Sequence, residues 1–328
     1  MNCALEYLAA NYDRLGLERL GLPLRPTCVM LTPRFRLSRH IVVLVLARGD
    51  AVLVAKLPRA ARDGGALARE ARVLVSVQRA LAGHDAGTAP ALVCFDDQTA
   101  YPLLLETALS GVPMSPPLVR RDRDALVACV VTWLGRLAAR TRTTPAGGDA
   151  WYDRLVCSPL HALASRAGAE VRTMIDRTLE RAEPLRFASL PLVLEHGDLG
   201  HPNLLRQADG RLGVLDWECG RSAGLPAHDL FFFLAYAALA GRRRGGDGER
   251  LADLRAAFFG PRPWAWAAGE RYAAQIGIDA ALLRPLLAVS CARAVAASYA
   301  PSGSIPRRAV DAYQRMMSLW RCAVGGAA

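Results

Sequence analysis

LVLEHGDLGHPNLLRQADGRLGVLDWE, residues 192–218, is the stretch whose reading decides the fold. It begins with a short apolar run, Leu192 to Leu194, which reads as a strand and delivers His196, Gly197 and Asp198 at its end. Asn203 follows five residues after Asp198 and opens an alternating run to Arg206, and Asp209-Gly210 is a hairpin turn signal. A second apolar strand, Leu212 to Leu215, then delivers Asp216. A loop and a hairpin of this kind gather two carboxylates and one amide at the same end of a small sheet. The plainer alternative is a polar hairpin in which Asp198 and Asn203 only cap turns.

Phosphoryl transfer needs such a set. One carboxylate orients the attacking hydroxyl and accepts its proton, while a carboxylate and an amide oxygen hold magnesium. His196-Gly197-Asp198, Asn203 and Leu215-Asp216-Trp217-Glu218 together resemble the active-site signature of the aminoglycoside phosphotransferase and choline kinase group. These are small-molecule kinases related in fold to protein kinases. The resemblance implies an α/β (α+β), two-lobed architecture: a small antiparallel N-terminal sheet with a helix, then a larger, mainly helical lobe. It also implies Asp198 as catalytic base, Asn203 and Asp216 as magnesium ligands, and ATP or GTP as phosphoryl donor.

The N-terminal part carries matching features. Leu31 to Phe35, Ile41 to Ala47 and Ala51 to Leu57 read as strands, the last two joined by a tight turn at Arg48-Gly49-Asp50. The third strand ends in Val54-Ala55-Lys56, similar to the kinase strand whose lysine reaches the nucleotide phosphates. Lys56 is the only lysine in a chain with 41 basic residues. A lysine retained where every other basic position is arginine points to a need for a thin, flexible ammonium. A helix from Gly65 to Leu81 has an apolar stripe of Leu67, Val73, Leu74 and Val77. On it Glu70 is the counterpart of the glutamate that pairs with the strand lysine, with an ordinary solvated glutamate as the alternative. Strands follow at Ala91 to Phe95 and Pro102 to Glu106. Glu106-Thr107-Ala108 matches the hinge where backbone groups at Glu106 and Ala108 receive a purine edge. Gly111, Pro113, Pro116 and Pro117 then break periodicity and mark a boundary, placing a nucleotide lobe at 1–108 and a catalytic and acceptor lobe at 109–328. The segment Arg36 to His40, where a glycine-rich phosphate loop would lie, contains no glycine. Ser38 and Arg39 are candidates for phosphate contact there, and a simple structural turn is an equal alternative.

Helices are expected at Arg123 to Arg140 and Leu160 to Ala182, and Cys219 to Leu225 reads as a short loop. Leu225-Pro226-Ala227-His228-Asp229-Leu230 opens a further helix, with Asp229 bracing the catalytic loop by resemblance and His228 in a packing role. The last helices, about Glu249 to Phe259, Trp264 to Gln275, Asp279 to Tyr299 and Pro306 to Ala323, would line the acceptor pocket. From Gly220 to Ala328 there are fourteen arginines and seven acidic residues. A polycationic acceptor is favoured by carboxylates, which this region lacks, so a neutral or anionic hydroxyl acceptor is expected: a sugar, nucleoside or other hydroxylated natural product, antibiotics included. Choline, amino-alcohol or aminoglycoside phosphorylation keeps the same mechanism with another acceptor, and a catalytically silent kinase-like binding module is the alternative from a different class.

Composition bounds the remainder. At 328 residues and 52% hydrophobic, the chain can fill two cores. A net charge of +11 carried by arginine, without a basic stripe interleaved with aromatics, does not read as a nucleic-acid surface. The first twenty residues carry Glu6, Asp13 and Arg14 and read as an amphipathic helix in place of a signal peptide, and Leu230 to Ala240 is too short to cross a bilayer. Eight scattered cysteines without metal or redox spacing fit reduced thiols and a cytoplasmic location, with no membrane or nucleic-acid partner expected.

Overall fold

The computed structural model describes residues 2–31, 40–61, 64–83, 85–145, 148–240, 246–299, 305 and 310–325. Its strands are β1 Thr27–Leu31, β2 His40–Ala47, β3 Asp50–Pro58, β4 Leu92–Asp96, β5 Leu103–Thr107, β6 Val112–Pro113, β7 Val193–Glu195, β8 Leu204–Arg206, β9 Leu212–Val214 and β10 Arg221–Gly224. The fold is mixed α and β, with an antiparallel sheet and a large helical part. Its contacts separate two compact units: Met1–Pro113 with Leu204–Gly220, and Met114–Asn203 with Arg221–Ala328.

In the first unit the sheet runs β1-β2-β3-β5-β4, all antiparallel. Arg48 (φ 52°) and Gly49 (φ 95°) form the two-residue turn between β2 and β3, and two positive φ values in succession suit the right-handed twist of the pair. Strand periodicity then gives each face its contents. Leu53, Ala55 and Leu57 of β3 and Leu103 and Leu105 of β5 point to one face, where they pack with Ala4, Tyr7 and Leu8 of helix Asn2–Ala10. Lys56 lies on the opposite face of β3, toward helix Gly65–Ala80 with its buried Leu67, Glu70, Leu74 and Val77. The first strand among the described residues is Thr27–Leu31, in register with Leu46 back to Val42. Of the expected strand 31–35 only Leu31 lies within the described residues.

The hairpin β8–β9 belongs to this same unit. The two-residue strand β6 pairs with β8, Val112 with Arg206 and Pro113 with Leu205, and Val214 N–H donates to Thr88 O. Gly111 suits that close approach, since a Cβ there would lie a tight 3.0 Å from Arg206 O. The sequence boundary at 108 comes from the hinge resemblance and from Gly111 and the prolines after it; backbone pairing carries this unit on to Pro113 and recruits the hairpin from far along the chain.

The second unit is mainly helical. Helix Arg123–Thr141 buries Leu126, Val130, Trp133, Leu134 and Leu137, and helix His228–Leu239 is buried almost all round. The expected single helix over 160–182 is two, Ser158–Ala164 and Ala169–Phe187, interrupted before Gly168. Cys219 to Leu225, expected as loop, contains β10, which pairs antiparallel with β7. Pro226 lies outside its helix, because Ala227 adopts a left-handed conformation (φ 65°) and the helix starts at His228. Of the described residues, Ala280–Ala297 is long and apolar enough to cross a membrane by composition, yet it packs in the interior of this unit and carries the buried, ion-paired Arg293. None of the eight cysteines, all of them among the described residues, forms a disulfide.

Candidate active site

In the first unit three carboxylates converge on one ammonium. Lys56, 6% exposed, places Nζ 2.5 Å from Glu70 Oε1, 3.3 Å from Glu106 Oε1 and 3.6 Å from Asp216 Oδ1. Each partner arrives from a different element. β3 delivers Lys56, helix Gly65–Ala80 delivers Glu70, β5 delivers Glu106, and the end of β9 delivers Asp216. Burial opposes the ammonium, but Glu106, Asp216 and Glu70 outweigh it and hold the Lys56 pKa above its ordinary value. Burial raises the Glu70 carboxyl, against the pull of Lys56. Glu70 Oε2 and Glu106 Oε2 are buried and accept no hydrogen bond among the described residues. Asp216 differs from its neighbours: its side chain is 45% exposed and its backbone is left-handed, φ 63°. Aspartate tolerates that region better than most residues, and a backbone held there fixes the direction of the carboxylate. His40 Nδ1 lies 3.4 Å from Glu218 Oε2, which ties the residue two places after Asp216 to the start of β2.

In the second unit β7 ends in a loop that is held from two sides. Asp229 accepts the backbone N–H groups of His196 (2.6 Å) and Gly197 (2.8 Å), one on each carboxylate oxygen. Asp198 N–H donates to His196 Nδ1 at 3.2 Å, so His196 shapes the loop from within. The Asn203 amide donates through Nδ2 to Asp198 O (2.9 Å) and Asp198 Oδ2 (3.3 Å). With its NH2 group committed in this way, the oxygen is the part of the Asn203 amide left to face a cation.

Beneath the loop is a buried ion pair that the sequence does not advertise. Glu195, 2% exposed, accepts two hydrogen bonds from Arg293, at 3.0 and 2.8 Å, and one from Leu225 N–H at 3.0 Å. Burial works against this carboxylate, yet the surrounding positive charge of His228, Arg293 and Arg221 lowers it to about 2. Burial likewise lowers His228 to about 4, so near neutral pH the arginines supply that charge. Gly224 makes room for the pair, since a Cβ there would lie 2.4 Å from Glu195 Oε2.

These donors suit a hard cation. Among the described residues no three His, Cys, Asp or Glu side chains cluster as a metal group. Magnesium does not need one: it takes one or two protein oxygens and completes its shell with water and phosphate. Within the first unit the exposed Asp216 carboxylate is an oxygen donor of that kind, and within the second so is the amide oxygen of Asn203.

The model of the phosphotransferase enzyme family matches residues 39–270. The chain belongs to that family. It is a phosphotransferase with an alcohol group as acceptor. Its fold is that of aminoglycoside phosphotransferases. One similar structure is the thermostable mutant of aminoglycoside phosphotransferase APH(4)-Ia with ADP and hygromycin B, at 13% identity and TM-score 0.58, with 97% of this chain and 100% of that one covered. Another is APH(2'')-Ib bound to ADP, at 14% identity and TM-score 0.54, with 98% and 99% covered. The ethanolamine kinase of Plasmodium vivax shares the fold at 11% identity and TM-score 0.54, with 91% and 81% covered. No curated protein matches the chain by sequence.

Within this phosphotransferase the expected residues fall into separate groups. Lys56, Glu70, Glu106 and Asp216 come together in the first unit, while Asp198 and Asn203 come together in the second. Ser38 and Arg39 lie outside the described residues. The Ala108 N–H, expected to meet a purine edge, donates to Val52 O at 2.9 Å. Glu106, expected through its backbone, instead turns a buried side chain to Lys56. The strand register accounts for it: Glu106 sits opposite Val54 in the β3–β5 ladder, two residue pairs from Lys56 and therefore on the same face.

Burial raises the Glu106 carboxyl to about 7, against the pull of Lys56 and with help from Glu70. The native state therefore binds this proton more tightly than the unfolded chain. Its stabilising contribution is complete below about pH 4.3, the unfolded value, and is lost as pH rises to about 7. Glu106→Gln abolishes the titration. The stability of wild type minus that of the variant is expected to fall, on the order of 2 kcal/mol, as pH rises from about 4.5 to about 7. Denaturant unfolding at a series of pH values measures this; parallel curves would remove Glu106 from the account.

Proposed function

We propose that this phosphotransferase transfers the γ-phosphoryl group of ATP or GTP to a hydroxyl of a neutral or anionic small molecule. The observation that carries the reading is the convergence of Glu70, Glu106 and Asp216 on the chain's single lysine. Such a lysine is held for a phosphate: Glu70 fixes its direction, and its charge is available to the nucleotide. In this reading Asn203 and Asp216 hold magnesium, which when bound neutralises charge on the phosphate oxygens. Asp198 orients the acceptor hydroxyl and takes its proton at Oδ1 or Oδ2, while Asn203 and His196 hold the loop in position. With the Ala108 amide committed to the sheet, the purine edge falls to the backbone just after it, Leu109 to Gly111. The residues before 114, with Asp216 and Asn203 through the metal, act on the nucleotide, and the rest of the helical unit acts on the acceptor.

The charge of the stretch from Gly220 to Ala328 supports the acceptor class. Several of its seven acidic residues have other work: Asp229 holds the loop, Asp279 caps a turn by accepting Ala281 N–H, and Glu270 accepts Trp266 Nε1–H. Few remain to pair with a polyamine. Cysteines that form no disulfide agree with a reducing, cytoplasmic setting. The test is a series of acceptors graded by charge, incubated with magnesium and ATP or GTP and followed by mass spectrometry. Sugars, nucleosides, sugar acids and neutral hydroxylated antibiotics are expected to gain a phosphoryl group in preference to aminoglycosides, choline and ethanolamine. Efficient turnover of a polycationic aminoglycoside would overturn the acceptor class, leaving the phosphotransfer itself in place.

A further inference from the structure

The helical unit holds a second group of polar side chains that the reading above does not use. Tyr236, on helix His228–Leu239, packs against the catalytic loop: a Cβ at Gly200, two residues past Asp198, would lie 3.2 Å from its Cε1 and Cζ. The His201 ring lies against the same tyrosine, with centroids 5.4 Å apart. On a neighbouring side, Arg315 of helix Val310–Val324 stacks its guanidinium over the Tyr236 ring, 4.5 Å from the centroid.

Two nitrogens in this group are left over. Arg315 Nε is buried and without a hydrogen-bond partner among the described residues, and Arg315 makes no ion pair with them. His201, 8% exposed, has a buried Nδ1 that is equally unpartnered. Native proteins rarely leave such groups without partners, because each costs the desolvation of a strong polar group. The arginine also has an unusual position. Arg293, a buried arginine near the loop, is paired bidentately with Glu195, whereas the planar fork of Arg315 is oriented by an aromatic face, with its Nε lacking a hydrogen-bond partner among the described residues. A guanidinium edge with a neighbouring imidazole nitrogen matches an oxyanion, carboxylate or phosphate, in geometry and charge.

We propose that Arg315, seated on Tyr236 and assisted by His201, is the acceptor-recognition subsite, taking an anionic oxygen group of the molecule whose hydroxyl is presented to Asp198. The proposal rests on the reading of Asp198 as base, because that is what makes the neighbouring surface an acceptor site. It narrows the acceptor from neutral or anionic to a hydroxylated compound carrying a carboxylate or a phosphate ester. Arg315 is in this sense a specificity-determining residue, not a catalytic one.

Matched pairs provide the test: galactose against galacturonate for a carboxylate, and ribose against ribose 5-phosphate for a phosphate ester. Their binding is measured by calorimetry on the full chain with magnesium and a non-hydrolysable ATP analogue, for wild type, Arg315→Gln and Arg315→Lys. Thermal melting confirms that each variant is folded. At least one anionic member is expected to bind about tenfold or more tightly than its neutral partner, the magnitude of a charge-assisted hydrogen bond. Arg315→Gln is expected to erase that advantage and leave the neutral member unchanged, with Arg315→Lys restoring part of it. Whichever pair shows the effect distinguishes carboxylate from phosphate. Equal binding within both pairs, no binding of either anionic member, or an advantage that survives Arg315→Gln would overturn the proposal. Turnover separates the two readings: anionic acceptors phosphorylated at rates indifferent to Arg315→Gln would sink the subsite and leave phosphotransfer standing. Arg315-dependent binding without any phosphoryl transfer would do the reverse.

Discussion

Asp198→Asn is expected to lower kcat by about a hundredfold to ten-thousandfold, the range that a positioned general base contributes. The substitution is nearly isosteric, and its structural effect is small for identifiable reasons. Asn203 donates to the backbone carbonyl of residue 198 as well as to the carboxylate, and only the second bond involves the changed group. The loop itself hangs from Asp229, through the N–H groups of His196 and Gly197, and from the bond between Asp198 N–H and His196 Nδ1. Stability should therefore stay within about 0.5 kcal/mol of wild type, as for a substitution that breaks no buried network. Nucleotide affinity should also hold, since the lysine cluster lies in the other unit and has its own partners. Steady-state kinetics with a thermal melt of the same sample gives both readings. An unchanged rate removes Asp198 from the role of base, and a lost fold returns it to the plainer role of a turn cap.

The largest effect on stability is expected at Arg293. Replacing it with methionine leaves Glu195 buried and ionised, with Leu225 N–H, the more exposed Arg221 and the buried His228 at 4.0 Å to compensate. Stranding one member of a buried ion pair costs about 3–5 kcal/mol. Because Glu195 also fixes Leu225, just ahead of the helix that carries Asp229, the variant should lose activity at temperatures where it is still folded. The pair carries a pH signature as well. Glu195 is held at about 2, far below an exposed glutamate. A depressed acid contributes stability above its unfolded pKa, near 4.3, and loses it as pH falls from there to about 2. Wild type should lose stability across that acid window, and Arg293→Met should lose much less. Removing both charges in Glu195→Gln/Arg293→Met should recover part of the deficit, since no buried charge is left stranded. A cost under about 1 kcal/mol for Arg293→Met would show that the pair is not a significant support.

How far the sequence was legible depended on the range of the interactions. Lys56 and Glu70 could be read from a strand and a helix lying close together in the chain, each with a clear period. The hairpin carrying Asn203 and Asp216 was marked by Asp209-Gly210 between apolar runs, and it forms with Leu204 opposite Val214. Less legible was whatever depends on distant pairing. Nothing local to Glu195 or Arg293 signals a contact across 98 residues, and a buried glutamate beside the loop looks in sequence like one more polar neighbour. β10 was missed because Arg221–Gly224 has no strand periodicity; it pairs because β7 offers it an edge. Ala227 gave no sign of its left-handed backbone, for which a glycine would have been the usual mark. The use of the Ala108 amide by Val52 was likewise decided by register between strands and not by residue type.

The central claim is the direct transfer of a phosphoryl group to a small-molecule hydroxyl, and its most direct measurement uses ATP labelled with oxygen-18 in the γ-phosphoryl group. The wild-type protein is incubated with magnesium and the acceptor series, and the products are resolved by mass spectrometry. The account predicts an acceptor bearing one intact labelled phosphoryl group, formed in step with ADP. Release of the label only as inorganic phosphate, or no consumption of either ATP or GTP with any acceptor, would contradict it.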